Sequence, residues 1–508
     1  MARPTTDRIR NAALAAKVMS ADDAAGLIAD GSHIGMSGFT GSGYPKAVPA
    51  ALARRITDAH ERADHFAVSV WTGASTGPEL DGVLAATTGI DLRMPYQSDP
   101  VTRDQINRGA MDYLDLHLSE VAQMVWEGFF GHLDLAVVEV AGITEDGDLV
   151  PSSSVGNNKT WLDLADRVIV EVSSWQPAEL EGIHDIYYGT ALPPHRRPIP
   201  IVAPSDRIGQ PWFRCPADKV VAVVPTDAPD RHTVFKPPDP ASAAIAGHIV
   251  EFLEHEVARG RLSRSLLPLQ SGVGNVANAV LAQLNGGPFE PLTAYTEVIQ
   301  DGMLDLLRSG TMSFASATAF SLSEAGLSEL RDNIAFYRHR VLLRPQEISN
   351  HPEVVRRLGV IAMNGMIEAD IYGNVNSTHV MGSRIVNGIG GSGDFARNGY
   401  LSMFVTTSTT KEGAISRIVP MVSHVDHSEH DVQVVVTEQG LADLRGLAPR
   451  HRARQIIDRC AHPDYRDALA DYFERAQAGA YGLQTPHLLD EALSWHVRFL
   501  RLGTMRAE

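Results

Sequence analysis

"LDLAVVEVAG", residues 133 to 142, is a short aliphatic run that ends at a glycine. Three further runs have the same character: "HFAVSVWTG" (65 to 73), "RVIVEVSS" (167 to 174) and "VQVVVTEQG" (432 to 440). Runs of this length, rich in valine and bounded by glycine or polar residues, are typical of buried strands. Amphipathic stretches such as "SADDAAGLIAD" (20 to 30), where Ser20 can cap a helix, alternate with them. The alternation predicts an α/β fold.

The 508 residues are enough for more than one core. Five prolines fall in "PTDAPDRHTVFKPPDPAS" (225 to 242), which is typical of a linker. "AGITEDGDL" (141 to 149) is similar to "NGMIEADIY" (364 to 372), and each half has a glycine loop before a helix, at 38 to 55 and 271 to 284. We therefore predict two related α/β halves, residues 1–235 and 236–508, that enclose a cleft between them.

The composition narrows the range of partners. A formal net charge of -17 argues against broad binding to nucleic acid or to an anionic membrane. Cys215 and Cys460 are too few for a disulfide framework and suit a reducing compartment. The first 20 residues have no sustained apolar core, so they predict neither a secretory signal nor a membrane span. We expect a cytoplasmic enzyme that acts on small molecules.

Two glycine-rich segments are candidates for binding an anion. "SGVGNVANAV" (271 to 280) would place backbone N–H groups at a helix N-terminus, against a phosphate or an oxyanion. A tight strand-to-helix turn explains it equally well, and the acidic residue of a dinucleotide site is not evident, which disfavours an NAD-dependent oxidoreductase. "NGIGGSGDFARNG" (387 to 399) holds five glycines, as expected where main chain must approach a ligand closely.

The segment "HVDHSEHD" (424 to 431) contains four side chains of metal-binding type: His424, Asp426, His427 and His430. It has neither an H-E-x-x-H pattern nor a cysteine pair. We interpret it as a hydrogen-bonded polar loop and predict no metal.

Glu297 lies in "PLTAYTEVIQDGMLDLLRSG" (291 to 310). A short strand over residues 292 to 296 is predicted to deliver its carboxylate at the C-terminal strand end, before a helix. In open α/β sheets that end faces the ligand crevice, although a lone glutamate is more often a solvated surface group.

Seven motifs occur in one order along the chain: "SGFTGSGYPKAVP", "SGVGNVANAV", "AYTEVIQDG", "YGNVNSTHV", "NGIGGSGDFARN", "VPMVSHVDHSEHDV" and "VTEQGLADLRGLAPR". Together they resemble the acetyl-CoA hydrolase/transferase family of class I CoA-transferases. The resemblance runs from about residue 10 to "TPHLLDEALSWH" (485 to 496). The context of Glu297 differs from the "SENG" of 3-oxoacid CoA-transferases, which favours the acetate/succinate branch.

The resemblance implies a fold of two similar open α/β domains of the class I CoA-transferase type, with the active site between them and a homodimeric assembly. The C-terminal domain would carry the catalytic glutamate, Glu297, and most of the CoA site. The N–H groups of Val273 and Gly391 would form an oxyanion hole. Asn350 would position the reacting groups, with helix capping as its structural alternative.

Further site residues are carried over from the same motifs. Arg231 and Glu438 match residues that line the pocket for the carboxylate substrate. The implied CoA-binding residues are Gly272, Val273, Gly274, Asn275, Val276, Ile367, Asn387, Gly391 and Lys411. Coenzyme A is then a substrate and part of a covalent intermediate, and no cofactor is expected.

The implied function is transfer of CoA between succinyl-CoA, or another short acyl-CoA, and acetate through a glutamyl-CoA thioester. An acetyl-CoA hydrolase using the same residues is the main alternative, in which water replaces the acceptor carboxylate. A non-catalytic CoA-binding protein is disfavoured, because a binding module has no need of a nucleophile such as Glu297.

Overall fold

The computed structural model describes residues 5–234, 239–289 and 291–506. The central part of the predicted linker, residues 235 to 238, lies outside the described residues. Among the helices that the structure describes, none has the length and hydropathy needed to cross a membrane.

Strands are numbered in chain order: β1 (His33–Met36), β2 (Val68–Trp71), β3 (Ile90–Met94), β4 (Asp112–Tyr113), β5 (Leu135–Ile143), β6 (Leu149–Pro151), β7 (Arg167–Ser173), β8 (Val220–Thr226), β9 (Leu269–Ser271), β10 (Leu292–Tyr295), β11 (Val298–Ile299), β12 (Met312–Ala317), β13 (Ala319–Phe320), β14 (Val341–Leu343), β15 (Ile361–Gly365), β16 (Glu368–Asp370), β17 (Val375–Asn376), β18 (His379–Val380), β19 (Arg384–Ile385), β20 (Leu401–Val405), β21 (Thr409–Thr410), β22 (Ile415–Ser416), β23 (Ile418–Val419), β24 (Val434–Thr437) and β25 (Gly440–Asp443).

The α-helices are α1 (Ala12–Ala15), α2 (Ala21–Gly26), α3 (Ala47–Glu61), α4 (Val83–Ala86), α5 (Pro100–Asn107), α6 (Val121–Trp126), α7 (Asn158–Leu164), α8 (Pro240–Ala258), α9 (Asn275–Leu284), α10 (Asp301–Ser309), α11 (Glu324–Asp332), α12 (Ile334–Tyr337), α13 (Gln346–Ser349), α14 (Pro352–Leu358), α15 (Ser392–Asn398), α16 (Pro449–Cys460), α17 (Pro463–Gly479) and α18 (Ser494–Leu502). Short turns of 3-10 or π type occupy Thr5–Arg8, Pro78–Gly82 and Ala178–Leu180.

The chain divides into two compact units. The first takes in the residues up to Val234 together with Ala294–Leu304 and Ser313–Leu358, and the second takes in the remainder. The change of unit after Val234 falls next to the predicted boundary at residue 235. The division is nevertheless not a single cut, because the chain returns to the first unit twice. Glu297 therefore belongs to the first unit, whereas the sequence prediction assigned it to a C-terminal domain.

The first unit is built on a sheet with the strand order β4-β3-β2-β1-β5-β7-β8, to which β6 adds on β5. The strands β1, β2, β5 and β7 pair in parallel. Helix α3 packs Val48, Leu52 and Ile56 into a core that also contains Ile34 and Val68. Because parallel strands end at the same edge, the loops after β1, β2 and β5 emerge on one side of this sheet.

In the second unit, neighbouring strands follow the order β9-β15-β20-β24-β25. The pairs from β9 to β24 are parallel, and β25 is antiparallel at the edge. Helices α16 and α17 bury Ile456, Leu469 and Phe473 in a core with Phe404 and Val435.

The predicted α/β class is confirmed by these two sheets. The four valine-rich runs contain β2, β5, β7 and β24. Ser20 caps α2 by accepting a hydrogen bond from the Asp23 amide at 3.1 Å, as the sequence predicted.

Candidate active site

Glu297 lies two residues after the end of β10, with Thr296 between them, and precedes α10, which begins at Asp301. The predicted strand and helix are both present, with the two-residue strand β11 between them. The Glu297 backbone is fixed because its carbonyl oxygen accepts a hydrogen bond from the Thr318 amide at 3.0 Å. Its side chain is half-buried.

Asn350 meets the Glu297 carboxylate within the first unit. Its Nδ2 donates a hydrogen bond to Glu297 Oε2 at 2.9 Å. Asn350 is fully buried at the C-terminus of α13, where its own amide donates to the Gln346 carbonyl at 3.0 Å. The Ser349 hydroxyl donates to Asn350 Oδ1 at 2.8 Å, so the amide group has its Nδ2 side turned to the carboxylate.

In the second unit, the predicted CoA-binding loop lies between β9 and α9. Gly274 has φ of +138°, a backbone conformation that residues with a side chain rarely adopt. A Cβ there would nevertheless meet nothing within 4 Å. At Gly272 a Cβ would come to 3.6 Å from the Met363 carbonyl oxygen, an ordinary contact. The glycine at 274 is therefore required by its backbone conformation, whereas a Cβ at Gly272 would make only ordinary contacts.

This loop borders a cavity of about 360 Å³. The cavity is lined by residues 271–277 of the loop and α9, by Ser242, Ile249 and Val280, by Met363, Gly365 and Met366, and by Val405, Thr406, Thr407 and Arg417. Five of the predicted CoA-binding residues, Gly272 to Val276, thus share one cavity. The other four, Ile367, Asn387, Gly391 and Lys411, are not part of its lining.

These four residues lie in three turns of the second unit. The Ile367 amide donates to the Asn376 carbonyl at 2.8 Å in the turn before β16. Asn387 and Gly391 belong to the glycine segment before α15, and Gly391 is the N-cap residue of that helix. Lys411 lies in the hairpin turn between β21 and β22, with Nζ 4.9 Å from the centre of the Phe499 ring.

Glu438 is held as an ionised acceptor. It accepts hydrogen bonds from the Ser408 amide at 2.7 Å, from the Ser408 hydroxyl, and from Gln439 Nε2 at 3.0 Å. Burial raises the pKa of Glu438, but the hydrogen bonds from Ser408 and Gln439 outweigh it, so the net pKa is lowered. The negative charge of Glu438 in turn favours the charged form of Arg417, whose pKa burial lowers.

Arg231, in the first unit, is paired with Glu79. Its Nη2 lies 2.8 Å from Glu79 Oε1, and its Nε donates to Oε2 at 3.3 Å. The Tyr44 hydroxyl also donates to Glu79 Oε2 at 2.8 Å. A carboxylate substrate at Arg231 therefore has to compete with an internal carboxylate for the guanidinium group.

The histidine-rich segment is tied into the second unit by hydrogen bonds. Asp426 accepts from the Ser377 amide at 2.6 Å and from the Thr378 hydroxyl at 2.8 Å. The rings of His379 and His424 lie 3.9 Å apart, centre to centre. Within the described part of the chain, no group of three or more His, Cys, Asp or Glu side chains has an arrangement that could hold a metal ion.

Two segments of the chain match the two domain models of one protein family. Residues 4–193 match the model for the acetyl-CoA hydrolase/transferase N-terminal domain, and residues 326–473 match that for the C-terminal domain. The chain is 51% identical over 502 residues to the succinyl-CoA:acetate CoA-transferase of Clostridium kluyveri, covering 99% of this chain and 92% of that protein. The chain belongs to the acetyl-CoA hydrolase/transferase family.

Relatives in this family include proteins named as CoA-transferases and proteins named as acetyl-CoA hydrolases. The propanoyl-CoA:succinate CoA transferase of Escherichia coli is 47% identical, with 96% of this chain and 98% of that protein covered. The acetyl-CoA hydrolase of Schizosaccharomyces pombe is 44% identical, with 99% of each covered. The chain is accordingly an enzyme of the acetyl-CoA hydrolase/transferase family, and the family resemblance seen in the sequence is confirmed.

Solved structures agree on the fold. RipA from Yersinia pestis is 22% identical with a TM-score of 0.71, covering 91% of this chain and 98% of that one. A 4-hydroxybutyrate CoA-transferase from Porphyromonas gingivalis is 22% identical with a TM-score of 0.62, with the same coverage. The homodimer and the cytoplasmic location stay predictions for this member of the family.

Sequence reasoning missed Arg417 and the other cavity residues outside the glycine loop. Arg417 follows the hairpin β21–β22, and its Nη1 donates to the Thr406 hydroxyl, which fixes it in the cavity lining. A guanidinium group in such a lining is suited to a phosphate or carboxylate. Its position after the "TTKEG" turn, as a cation within an apolar and hydroxyl-rich stretch, was the only available signal.

Proposed function

We propose that this chain is a CoA-transferase that moves CoA from succinyl-CoA, or another short acyl-CoA, to acetate through a glutamyl-CoA thioester on Glu297. The observation that carries the proposal is the hydrogen bond of 2.9 Å from buried Asn350 to the Glu297 carboxylate. A nucleophilic carboxylate must be ionised and aimed at its target, and a fixed amide donor favours both conditions.

The first half-reaction forms the covalent intermediate. Glu297 Oε attacks the thioester carbonyl carbon of succinyl-CoA, the C–S bond breaks, and CoA leaves as the thiolate. The thiolate then attacks Cδ of Glu297 in the mixed anhydride, and succinate leaves with the bridging oxygen. Glu297 now carries CoA as a thioester.

The second half-reaction reverses these steps with acetate. An acetate oxygen attacks Cδ of Glu297, and the CoA thiolate leaves again. It attacks the acetyl carbonyl of the new anhydride, which releases acetyl-CoA and restores the Glu297 carboxylate. No redox partner or metal takes part in this sequence, because each step exchanges one acyl bond for another.

Each addition step places negative charge on a former carbonyl oxygen. We assign the N–H groups of Val273 and Gly391 to its stabilisation, by resemblance to the family. Loss of one donor of this kind costs about 2.7–4 kcal/mol in other acyl-transfer enzymes. The cavity beside Gly272 to Val276 is the proposed site for part of CoA, and Arg417 is a further candidate for an anionic group of that substrate.

Acyl-CoA hydrolysis is the second candidate, because hydrolases of the family are nearly as similar to this chain as its transferases. The two activities differ only in what attacks the glutamyl-CoA thioester. We favour transfer because the Arg231 guanidinium group, although paired with Glu79, is half-exposed, so that a substrate carboxylate can replace Glu79 as its partner. Water needs no such group.

A trapping experiment tests the intermediate. The enzyme is incubated with succinyl-CoA, treated with hydroxylamine, and digested for mass analysis. We expect a hydroxamate at Glu297 and none in Glu297→Gln, which keeps the size of the side chain. Glu145→Gln, a change at an exposed glutamate of the first unit, serves as the matched control and should label as the native enzyme does. Label on another residue contradicts the mechanism.

A second assay separates transfer from hydrolysis. Succinyl-CoA consumption and acetyl-CoA formation are followed in parallel at several acetate concentrations. Transfer predicts that both rates rise together with acetate. Thioester loss at a rate independent of acetate, with no acetyl-CoA formed, would instead identify a hydrolase.

A further inference from the structure

The histidine-rich segment of residues 424 to 431 contacts the glycine segment near Gly391 through the side chain of His427. Its Nε2 lies 3.1 Å from the hydroxyl of Ser392. Ser392 is the first residue of α15 and directly follows Gly391. His427 is thus one side chain away from the amide to which the proposed function assigns a role in catalysis.

The hydrogen atoms of this contact can be assigned from its neighbours. Ser392 Oγ donates its only hydrogen to the Ile389 carbonyl at 2.7 Å, so it is an acceptor toward His427. Ser377 Oγ, 3.4 Å from the same Nε2, donates to Asp426 at 3.2 Å and is likewise an acceptor. Nε2 of His427 therefore carries a hydrogen and donates it.

His427 is itself held rigidly. Its amide donates to the Val375 carbonyl at 3.1 Å, and its carbonyl accepts from the Val375 amide at 2.8 Å. Its ring packs on Phe404, with 4.6 Å between ring centres, and it is only 2% exposed. Because Phe404 belongs to the central strand β20, the ring is anchored to the sheet of the second unit.

The hydrogen bond from the Ser392 hydroxyl to the Ile389 carbonyl closes a short loop that contains Gly390 and Gly391. Its hydroxyl bridges the Ile389 carbonyl and His427, so the main chain from 389 to 392 is fixed at both ends. Gly390, inside that loop, has φ of +59° and no side chain of its own to restrain it. An external anchor is the means by which such a flexible segment keeps one conformation.

We infer that His427 is a positioning residue, which holds the Gly391 amide in place by donating a hydrogen bond to Ser392. The inference rests on the proposed function, in which Gly391 supplies an oxyanion donor. It gives the histidine-rich segment a role that involves neither a metal nor proton transfer to substrate.

Two substitutions separate this role from packing. His427→Phe keeps a ring against Phe404 and removes the donor, whereas His427→Gln places an amide N–H at a reach similar to that of Nε2. We expect His427→Phe to lower kcat at least about fivefold, as loss of a hydrogen bond of ordinary strength predicts, with a smaller change in the KM for acyl-CoA. His427→Gln should recover most of the loss. The exposed His430→Gln is the matched control and should behave as the native enzyme.

A double-substitution cycle tests the link to Ser392. Ser392→Ala alone should lower kcat as His427→Phe does, and the double variant should be no worse than either single variant. Additive losses would show that the two residues act independently and would overturn the inference. A His427→Gln variant as impaired as His427→Phe would also overturn the inference, because the loss of activity would then come from altered ring packing and not from a lost hydrogen bond.

Hydrogen exchange gives a readout that does not depend on the reaction. We expect faster exchange in peptides covering residues 387 to 399 in His427→Phe, and native exchange in His427→Gln. If Glu297 trapping fails while this difference is present, the proposed function is wrong and the anchoring of the segment stands. If trapping succeeds and exchange and kcat are unchanged in His427→Phe, the inference is wrong.

Discussion

The hydroxyl of Ser349 donates a hydrogen bond of 2.8 Å to the amide oxygen of Asn350. Both residues are fully buried at the end of α13. Because Oδ1 is thereby occupied as an acceptor, Nδ2 is left to face Glu297. Ser349 thus orients the side-chain amide of Asn350, and that amide orients the carboxylate of Glu297, the proposed nucleophile.

Replacement of these residues should impair catalysis in a graded manner. Asn350→Ala removes a hydrogen bond to a charged group, worth about 1.5–3 kcal/mol, and should lower kcat about 10- to 150-fold. Ser349→Ala only removes the hydrogen bond that fixes the orientation of the Asn350 side-chain amide, and it should lower kcat about two- to tenfold. Steady-state rates with succinyl-CoA and acetate check both values. An Asn350→Ala enzyme of native kcat would refute the role of the amide.

The two glycines of the loop after β9 should respond differently to alanine. Gly274→Ala forces a side chain into a φ of +138°, at a cost of about 1–3 kcal/mol, and should lower the unfolding temperature and weaken CoA binding. Gly272→Ala meets only an ordinary contact at 3.6 Å and should leave the unfolding temperature unchanged. Calorimetric melting and titration with CoA measure both effects. Equal melting temperatures in the two variants would contradict this reading of the loop.

Lys46 is the cation of a buried ion-pair network in the first unit. Its Nζ lies 2.5 Å from Glu139 Oε2 and 2.8 Å from Asp230 Oδ1. Burial lowers the pKa of Lys46, but the charges of Asp230 and Glu139 outweigh it and raise the net pKa above its ordinary value. Lys46→Met leaves two buried carboxylates without their cation and should destabilise the protein by about 3–5 kcal/mol.

Urea unfolding at neutral pH measures this loss. Arg54→Met is the matched control, since Arg54 pairs with Asp22 at the surface, where 59% and 71% of the two side chains are exposed. Such an exposed pair contributes at most about 1 kcal/mol. If Lys46→Met is no less stable than this control, the network does not support the fold.

Glu256 should make the second unit sensitive to acid. Its carboxylate is 1% exposed and accepts hydrogen bonds from Arg445 Nη1 at 3.0 Å and from Arg261 Nε at 2.8 Å. Burial raises the pKa of Glu256, but these hydrogen bonds outweigh it and lower the net value to about 2. Its contribution to stability is therefore present above the unfolded-state pKa and is lost as the pH falls from about 5 to about 2.

Unfolding by urea across that pH range provides the measurement. The native protein should lose stability more steeply than Glu256→Gln, so the difference between the two should shrink as the pH falls. Arg475 and Glu491 form an exposed ion pair, and Glu491→Gln is the control, expected to follow the native curve closely. Parallel curves for the native protein and Glu256→Gln would contradict the assignment.

The sequence by itself determined the features that depend on residues close to one another along the chain. The valine-rich runs, the Ser20 cap, the strand that delivers Glu297 and the glycine loop before α9 all follow from patterns a few residues long, because side-chain alternation and backbone restrictions act locally. The ordered motifs also identified the family. Together, these features predicted the fold class and indicated Glu297 as the candidate nucleophile.

Only the tertiary structure decided which distant residues meet. Asn350 reaches Glu297 across 53 positions of the chain, and His427 reaches Ser392 across 35. Arg417 lines the cavity beside Gly272, and its place after the "TTKEG" turn does not by itself predict that position. The chain also returns to the first unit after residue 293, against the simple division predicted. Such contacts depend on how the elements pack in space, and no spacing along the sequence encodes them.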